Sequence, residues 1–259
     1  SMPSSRDRLF PVSFFQGINI AVAIGACASL ALTSPVSAQV VRSVIPVQPV
    51  VIFAEASATN PETVRLLTAL GKVESDLQLG MLFMQDGLTS TEGSHFTHPR
   101  NETIPGIKDG LAAAGVADIE PLLVTLEGGG DAATVTTNYQ AVITALAMAR
   151  STLKPTDRDF LLSIIAQAEA VVGEINAAGP TEVNNYQDAW AMLMVARGQV
   201  DLLMGNSDPA IAKAATEMGL ALDDVILSMP DPNVAAPVEF DPAPINALKE
   251  KMEALAGTI

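Results

Sequence analysis

The sequence is almost without sulfur nucleophiles: Cys27 is its only cysteine. Disulfides are therefore excluded within the chain, and so is a metal site built on several thiolates. Histidine is nearly as scarce, with His95 and His98 the only two, so a three-histidine site cannot form within one chain. Positive charge is also thin. Lys and Arg number 14 against 29 Asp and Glu, a formal net charge of -15, which excludes a sequence-independent grip on nucleic-acid phosphates and makes cations the natural partners. Neither HExxH nor GxSxG occurs, and Gly128, Gly129 and Gly130 lack the Lys and Ser or Thr of a phosphate-binding loop. Alternating β-branched runs are missing as well, which argues against a sheet.

What the chain does contain is aliphatic surface. Hydrophobic residues make up 49% and aromatics only 4%, enough to bury a core and too much for a disordered chain. Ser1 ahead of Met2 reads as a vector remnant. Arg6 and Arg8, the mostly apolar residues 18–32 and the small residues Val36, Ser37 and Ala38 then follow the grammar of a secretory leader. A signal peptide over 1–38 is expected, cleaved near Ala38, giving an acidic periplasmic or secreted protein. A competing reading takes Ile24, Gly25, Ala26 and Cys27 as a lipoprotein box, but the residues after Cys27 stay apolar where that signal turns polar. Beyond the leader, the longest apolar run, 141–149, is far short of the roughly 18 residues a membrane span needs.

Residues 39–59, with Pro46 and Pro49, read as an extended arm. Asn60, Pro61 and Glu62 then open a helix, because an Asn side chain caps free amides and proline fits a first turn. Val64, Leu67, Leu70, Leu77 and Met81 recur at helical spacing, so this helix is expected to reach about residue 85 and end near Gly87. Thr156 opens another, ending before Gly179 and Pro180, and Asp208 with Pro209 opens a third reaching Met229. Helices over 132–153 and 182–204 fill the intervals, with shorter ones at 104–114 and 119–126. The expected fold is all-α: an antiparallel helical bundle over 60–229 with a short irregular histidine-containing segment. A Pro-rich linker and a C-terminal helix follow in 230–259, the helix itself at 245–255.

Irregularity concentrates around Gly93-Ser-His-Phe-Thr-His-Pro-Arg-Asn-Glu102. His95 and His98, three apart, can meet on one face and share a metal ion. Pro99 disfavours helical geometry at His98, so one helix is expected to end there and another to begin. An imidazole at such an N-terminus is held neutral, the ligating form. Glu102 would project from the new helix on the same side, giving His, His and carboxylate, a set that suits Cu, Fe or Zn. A fourth ligand from the preceding helix is sought among Asp76, Asp86 and Glu92, with Asp76 favoured. The bland alternative is that the histidines only cap helices or belong to a buried polar network.

Two further features carry structural readings first. Met81 and Met84 lie one turn apart near the histidines, and thioethers bind Cu(I), but methionine at this spacing usually fills a core. Tyr186, Trp190 and Arg197 form one stripe, in which Arg197 is expected to pair with Asp188, Asp201 or Glu174, the alternative being that it anchors an anionic ligand beside the aromatics.

Residues 75–111 resemble a group of uncharacterised exported bacterial helical proteins with a GHLxxG helix followed by HFxHPxxE. His95, Phe96, His98, Pro99 and Glu102 match the second part; Ser75, Asp76, Leu77 and Gly80 stand for the first, so Asp76 falls where that pattern has histidine. The resemblance spans about 37 of the 259 residues and implies no activity. A more distant likeness is to imelysin-type periplasmic bundles linked to iron handling, which carry GxHxxE. Gly93, Ser94 and His95 match its start, and Pro99 follows where a nearer Glu is required. The combined expectation is a transition-metal binder, or a binder of a metal-containing small ligand, for storage, delivery or sensing rather than turnover, since no activated nucleophile is present. The alternatives are a scaffold recognising an envelope protein and a carrier of an apolar small molecule.

Overall fold

Helix starts follow the caps written into the chain. In the computed structural model, which describes residues 59–86, 95–175, 183–229, 239 and 241–258, Asn60 Oδ1 accepts the N–H groups of Glu62 and Thr63 at 3.0 and 3.2 Å. Pro61 then opens α1 (Pro61–Asp86). The expected leader, most of the arm, Glu92, Gly179 with Pro180, and the linker prolines 230, 232 and 237 lie outside the described residues.

The His-containing segment leads into α2 (Ile104–Ala113), which ends where Gly115 takes the left-handed φ of 81° that a Cβ would oppose. After it come α3 (Glu120–Glu127) and α4 (Ala132–Thr152), the latter capped by Asp131. The chain continues with α5 (Asp157–Glu174), α6 (Val183–Met204), α7 (Pro209–Ser228) and α8 (Ala243–Ala256). Among the described residues the molecule is all-α, a bundle with no strand. Thr156 and Asp159 form a reciprocal capping box at α5, and Asp208 caps α7 at Ala210 N.

Asp159 does more than cap its own helix. It is 2% exposed; Oδ2 accepts Thr156 N at 3.3 Å, and Oδ1 accepts Asn60 N at 3.0 Å. The starts of α1 and α5, far apart in sequence, are thus tied by one carboxylate.

Packing places α1 in the interior. It lies against α5 and α6, and also against α4, α2 and the histidine segment; α6 packs on α7 in turn. The spacing of Val64, Leu67, Leu70, Leu77 and Met81 describes one apolar stripe. The helix in fact also buries Leu66, Val73, Leu79 and Leu82, while Val64 is only half-buried. With neighbours on several sides, polar side chains on the packed faces are forced inward, and Ser75 and Asp76 are buried at 1% and 0% exposure, while Lys72, Glu74 and Gln78 stay partly exposed. The apolar cluster on the α4 side joins Leu66, Leu70, Leu77 and Met81 to Phe96, Ile107, Leu123 and Leu146. Met84 packs at its edge, so both methionines near the histidines serve the core.

The C-terminal helix is part of this packing. Ile245, Leu248, Met252 and Ala256 of α8 are buried, and α8 lies against α5 and α7.

Replacing Asp159 by Ala removes the capping box and leaves Asn60 N–H without its acceptor, which should cost about 1–3 kcal/mol in urea unfolding. The exposed Glu169→Ala should change stability by less than about 0.5 kcal/mol; equal effects from the two variants would contradict the role given to Asp159.

Candidate metal centre

The histidines sit on a short, tightly wound stretch pressed against α1. His95–Thr97 form a 3-10 turn and Pro99–Thr103 a π turn, which runs into α2. His98 between them has φ -59° and ψ -43°. The expected break at His98 is therefore corrected: the winding is helical from His95 to Ala113. Proline's effect on the residue before it is a preference, and the wide π turn accommodates the ring, with Pro99 O accepting Ile104 N–H. Pro99 does begin its turn, where its missing N–H costs nothing.

What docks this segment is Phe96 on Gly80. A Cβ at Gly80 would stand 2.5 Å from Phe96 Cε1, so only glycine lets the ring lie this close to α1. The two halves of the sequence pattern thus meet in space. Docking Phe96 buries its neighbours: His95 is 1% exposed and His98 7%. Their ring centroids are 4.9 Å apart at an interplanar angle of 72°, and Phe83 covers His95 at 4.8 Å.

Neither imidazole behaves as a helix cap. His98 makes no side-chain capping bond at the π turn, and among the described residues both ring nitrogens of His95 are buried without a hydrogen-bond partner. Asp76 brings a third such atom. Its Oδ1 accepts from Lys72 Nζ at 3.1 Å, but Oδ2 is buried and unpartnered. Each such atom costs about 1–3 kcal/mol of desolvation.

Electrostatics tie these residues together. Burial drives the Asp76 carboxyl up to about 6, opposed by the Lys72 ammonium beside it and more weakly by His98, while the Glu102 carboxylate adds to the rise. Burial likewise drives His95 down to about 4, and the charges of His98 and Lys72 push the same way. At neutral pH His95 is a free-base imidazole, the form that ligates metals. The main cause for His95 is desolvation.

Asp76, His95 and His98 are all buried, and His98 lies against the His95 ring and acts electrostatically on Asp76, whereas Glu102 is exposed. Of the carboxylates, Asp76 is the inner one and Glu102 acts from the solvent side. The side chain of Asp86, like Glu92, falls outside the described residues. As the side chains stand, no three His, Cys, Asp or Glu groups among the described residues lie close enough together to hold a metal ion.

Lys72 is the participant that inspection of the histidines missed. Its signal was available: Lys72 and Asp76 are four apart on one helix, the spacing of an ion pair. Arg197 makes the structural pairing, at 2.6 Å to Asp201 and 2.7 Å to Asp223 of α7; the latter was not among its expected partners.

Two opposed pH dependences follow. Asp76, raised from 3.8 to about 6, contributes stability below its ordinary value that is lost as pH rises through about 6. His95, lowered from 6.5 to about 4, contributes stability above its ordinary value that is lost as pH falls through about 4. The stability of wild type minus that of Asp76→Asn should thus fall by on the order of 2 kcal/mol between about pH 4 and 6. For wild type minus His95→Phe it should climb over a similar window. Urea midpoints across that range check both, and differences that do not vary with pH would contradict the burial of these groups.

In Gly80→Ala the added methyl displaces Phe96, with an expected cost of about 1–3 kcal/mol and a rise in His95 accessibility to diethylpyrocarbonate. Unchanged reactivity would show that Phe96 does not hold the segment down. Comparison of the chain with protein-family models, with curated proteins and with solved structures gave no match, so a function has to be argued from this geometry.

Proposed function

We propose that this is an exported, periplasmic or secreted helical-bundle protein that binds a transition metal, Cu, Fe or Zn, or a metal-containing ligand. His95, His98 and Asp76 are the inner donors, and Glu102 is the outer carboxylate. The observation that carries this reading is the set of three buried, unpartnered polar atoms, Asp76 Oδ2 and both nitrogens of His95, beside a second imidazole. A capping role for His95 would have consumed those nitrogens. Two imidazoles and a carboxylate suit borderline cations better than Mg or Ca, which prefer all-oxygen sites. The buried setting and the absence of an identified nucleophile favour storage, delivery or sensing over turnover.

One observation favours a second reading, a scaffold that recognises an envelope protein: Leu220 and Leu227, seven apart on α7, are 62% and 69% exposed. The apolar-carrier reading gains less. The cleft lined by Ile104, Leu111, Val116 and Ile119 measures about 180 Å³, below the roughly 300–1,000 Å³ of small-molecule pockets.

Elemental analysis of protein purified without a histidine tag should find near-stoichiometric transition metal, and the His95→Ala/His98→Ala double variant should lose it. Metal retained at wild-type level in the double variant would reject the assignment.

A further inference from the structure

The turn that joins α2 to α3 shapes a cleft at the edge of the core. α2 closes with a Schellman arrangement: Gly115 N–H donates to Ala112 O and Val116 N–H to Leu111 O, each at 3.0 Å, and Gly115 takes the left-handed φ of 81° that this closure needs. Ile104, Leu111, Val116 and Ile119, all buried members of the α4-side core, line a cleft of about 180 Å³ there. Held by the core below and the turn beside it, the cleft is formed before anything enters, which lowers the ordering cost of filling it.

Size and rim decide what fits. An apolar cavity of about 150 Å³ suffices for a benzene ring, whereas small-molecule sites run to roughly 300–1,000 Å³. The cleft therefore has room for one aromatic or branched side chain and for no larger body. Exposed Lys108, Ala112, Ala117 and Asp118 complete its lining, so it opens to solvent. The two rim charges differ in their partners. Lys108 Nζ is matched by Glu120 Oε1 at 2.9 Å. Asp118 Oδ1 accepts the Glu120 N–H at 3.0 Å, and among the described residues no cation lies within ion-pair distance of this carboxylate. The uncompensated charge at the mouth is negative, on a chain whose formal net charge is -15.

We propose that this cleft is an anchor site for a protein partner that presents a bulky apolar side chain next to a Lys or Arg. The apolar side chain fills the cleft and its basic neighbour pairs with Asp118. An anchor seated in a pocket supplies most of the binding energy at such contacts, and an exposed ion pair at the rim adds selectivity more than affinity. Acidic partners and anionic lipid surfaces meet repulsion instead. No residue of the cleft is a candidate metal ligand, so the anchor stands or falls independently of metal binding.

An amide NMR titration of the full chain with N-acetyl-phenylalanyl-lysinamide tests this. Shifts should concentrate at Ile104, Leu111, Val116 and Ile119, with an affinity on the order of millimolar for so small a probe. The alanyl-lysine analogue should bind roughly tenfold more weakly, because the anchor is gone, and the phenylalanyl-glutamate analogue about threefold more weakly. Ala112→Trp, an exposed change that fills the cleft, should abolish the shifts. Asp118→Asn, which keeps an acceptor for the Glu120 N–H, should remove the preference for lysine over glutamate. No shifts at the cleft, or alanyl-lysine bound as tightly as phenylalanyl-lysine, overturns the anchor. Equal affinity for the glutamate analogue overturns the basic partner. Toluene bound as tightly as the dipeptide would assign the cleft to a small apolar molecule and overturn the protein partner. Should circular dichroism show Ala112→Trp unfolded, the probe series on wild type decides alone.

Discussion

Desolvation of Asp76 and His95 in the gap between α1 and the histidine segment is the constraint on which the rest depends. Both groups are almost completely removed from solvent, and between them they leave three polar atoms unpartnered among the described residues. Burial opposes the charged form of each, which moves the carboxyl up and the imidazole down until their order on the pH scale is reversed. Lys72 is what keeps the carboxylate tolerable: its ammonium lies on Oδ1 and lowers the acid's pKa against the burial effect. Native chains seldom keep such groups in the interior without a use, because replacing them by apolar residues of similar size is often neutral or stabilising. That uncompensated burial is the physical ground of the proposal that the arrangement binds a ligand.

The scaffold explains how that cost is sustained. α1 is enclosed by α5 and α6 on one side and by α4 and the histidine segment on the other, so Ser75 and Asp76, on its packed faces, have no route to water short of unpacking the helix. Its N-terminus is fixed by Asn60, its own cap, and by the Asp159 carboxylate of α5. Phe96 over Gly80 then docks the irregular segment on this rigid helix. Preorganisation by packing is the usual support for a site whose ligands come from separate elements. The remaining helices, α7 and α8, thicken the bundle on the far side of α5 and α6.

Much of this was legible in the sequence. Asn60, Thr156 and Asp208 mark their helices because a cap is a local event, decided by one side chain and the amides two or three residues on. The all-α class followed from the same punctuation and from the absence of strand patterning. The candidate pair His95 and His98 was legible from scarcity and spacing. What could not be read was which carboxylate lies inside. Glu102 sits four residues after His98 and reads as the nearer partner, yet it is exposed; Asp76 is distant in sequence and buried because α1 has neighbours on several sides, a tertiary fact. The helical conformation of His98 was hidden for a similar reason. A local preference before proline was outweighed by the docking of the whole turn. Asp223, the second partner of Arg197, lies on another helix and left no local signal.

X-ray absorption at the zinc edge, on protein loaded with zinc and dialysed, interrogates the ligands themselves. The account predicts retained zinc whose outer-shell scattering carries the imidazole signature of both histidines together with a first-shell carboxylate oxygen. Zinc lost on dialysis, or a spectrum of oxygen donors alone without imidazole, would contradict it and leave the buried His95 and Asp76 as a structural polar cluster of an α-helical bundle.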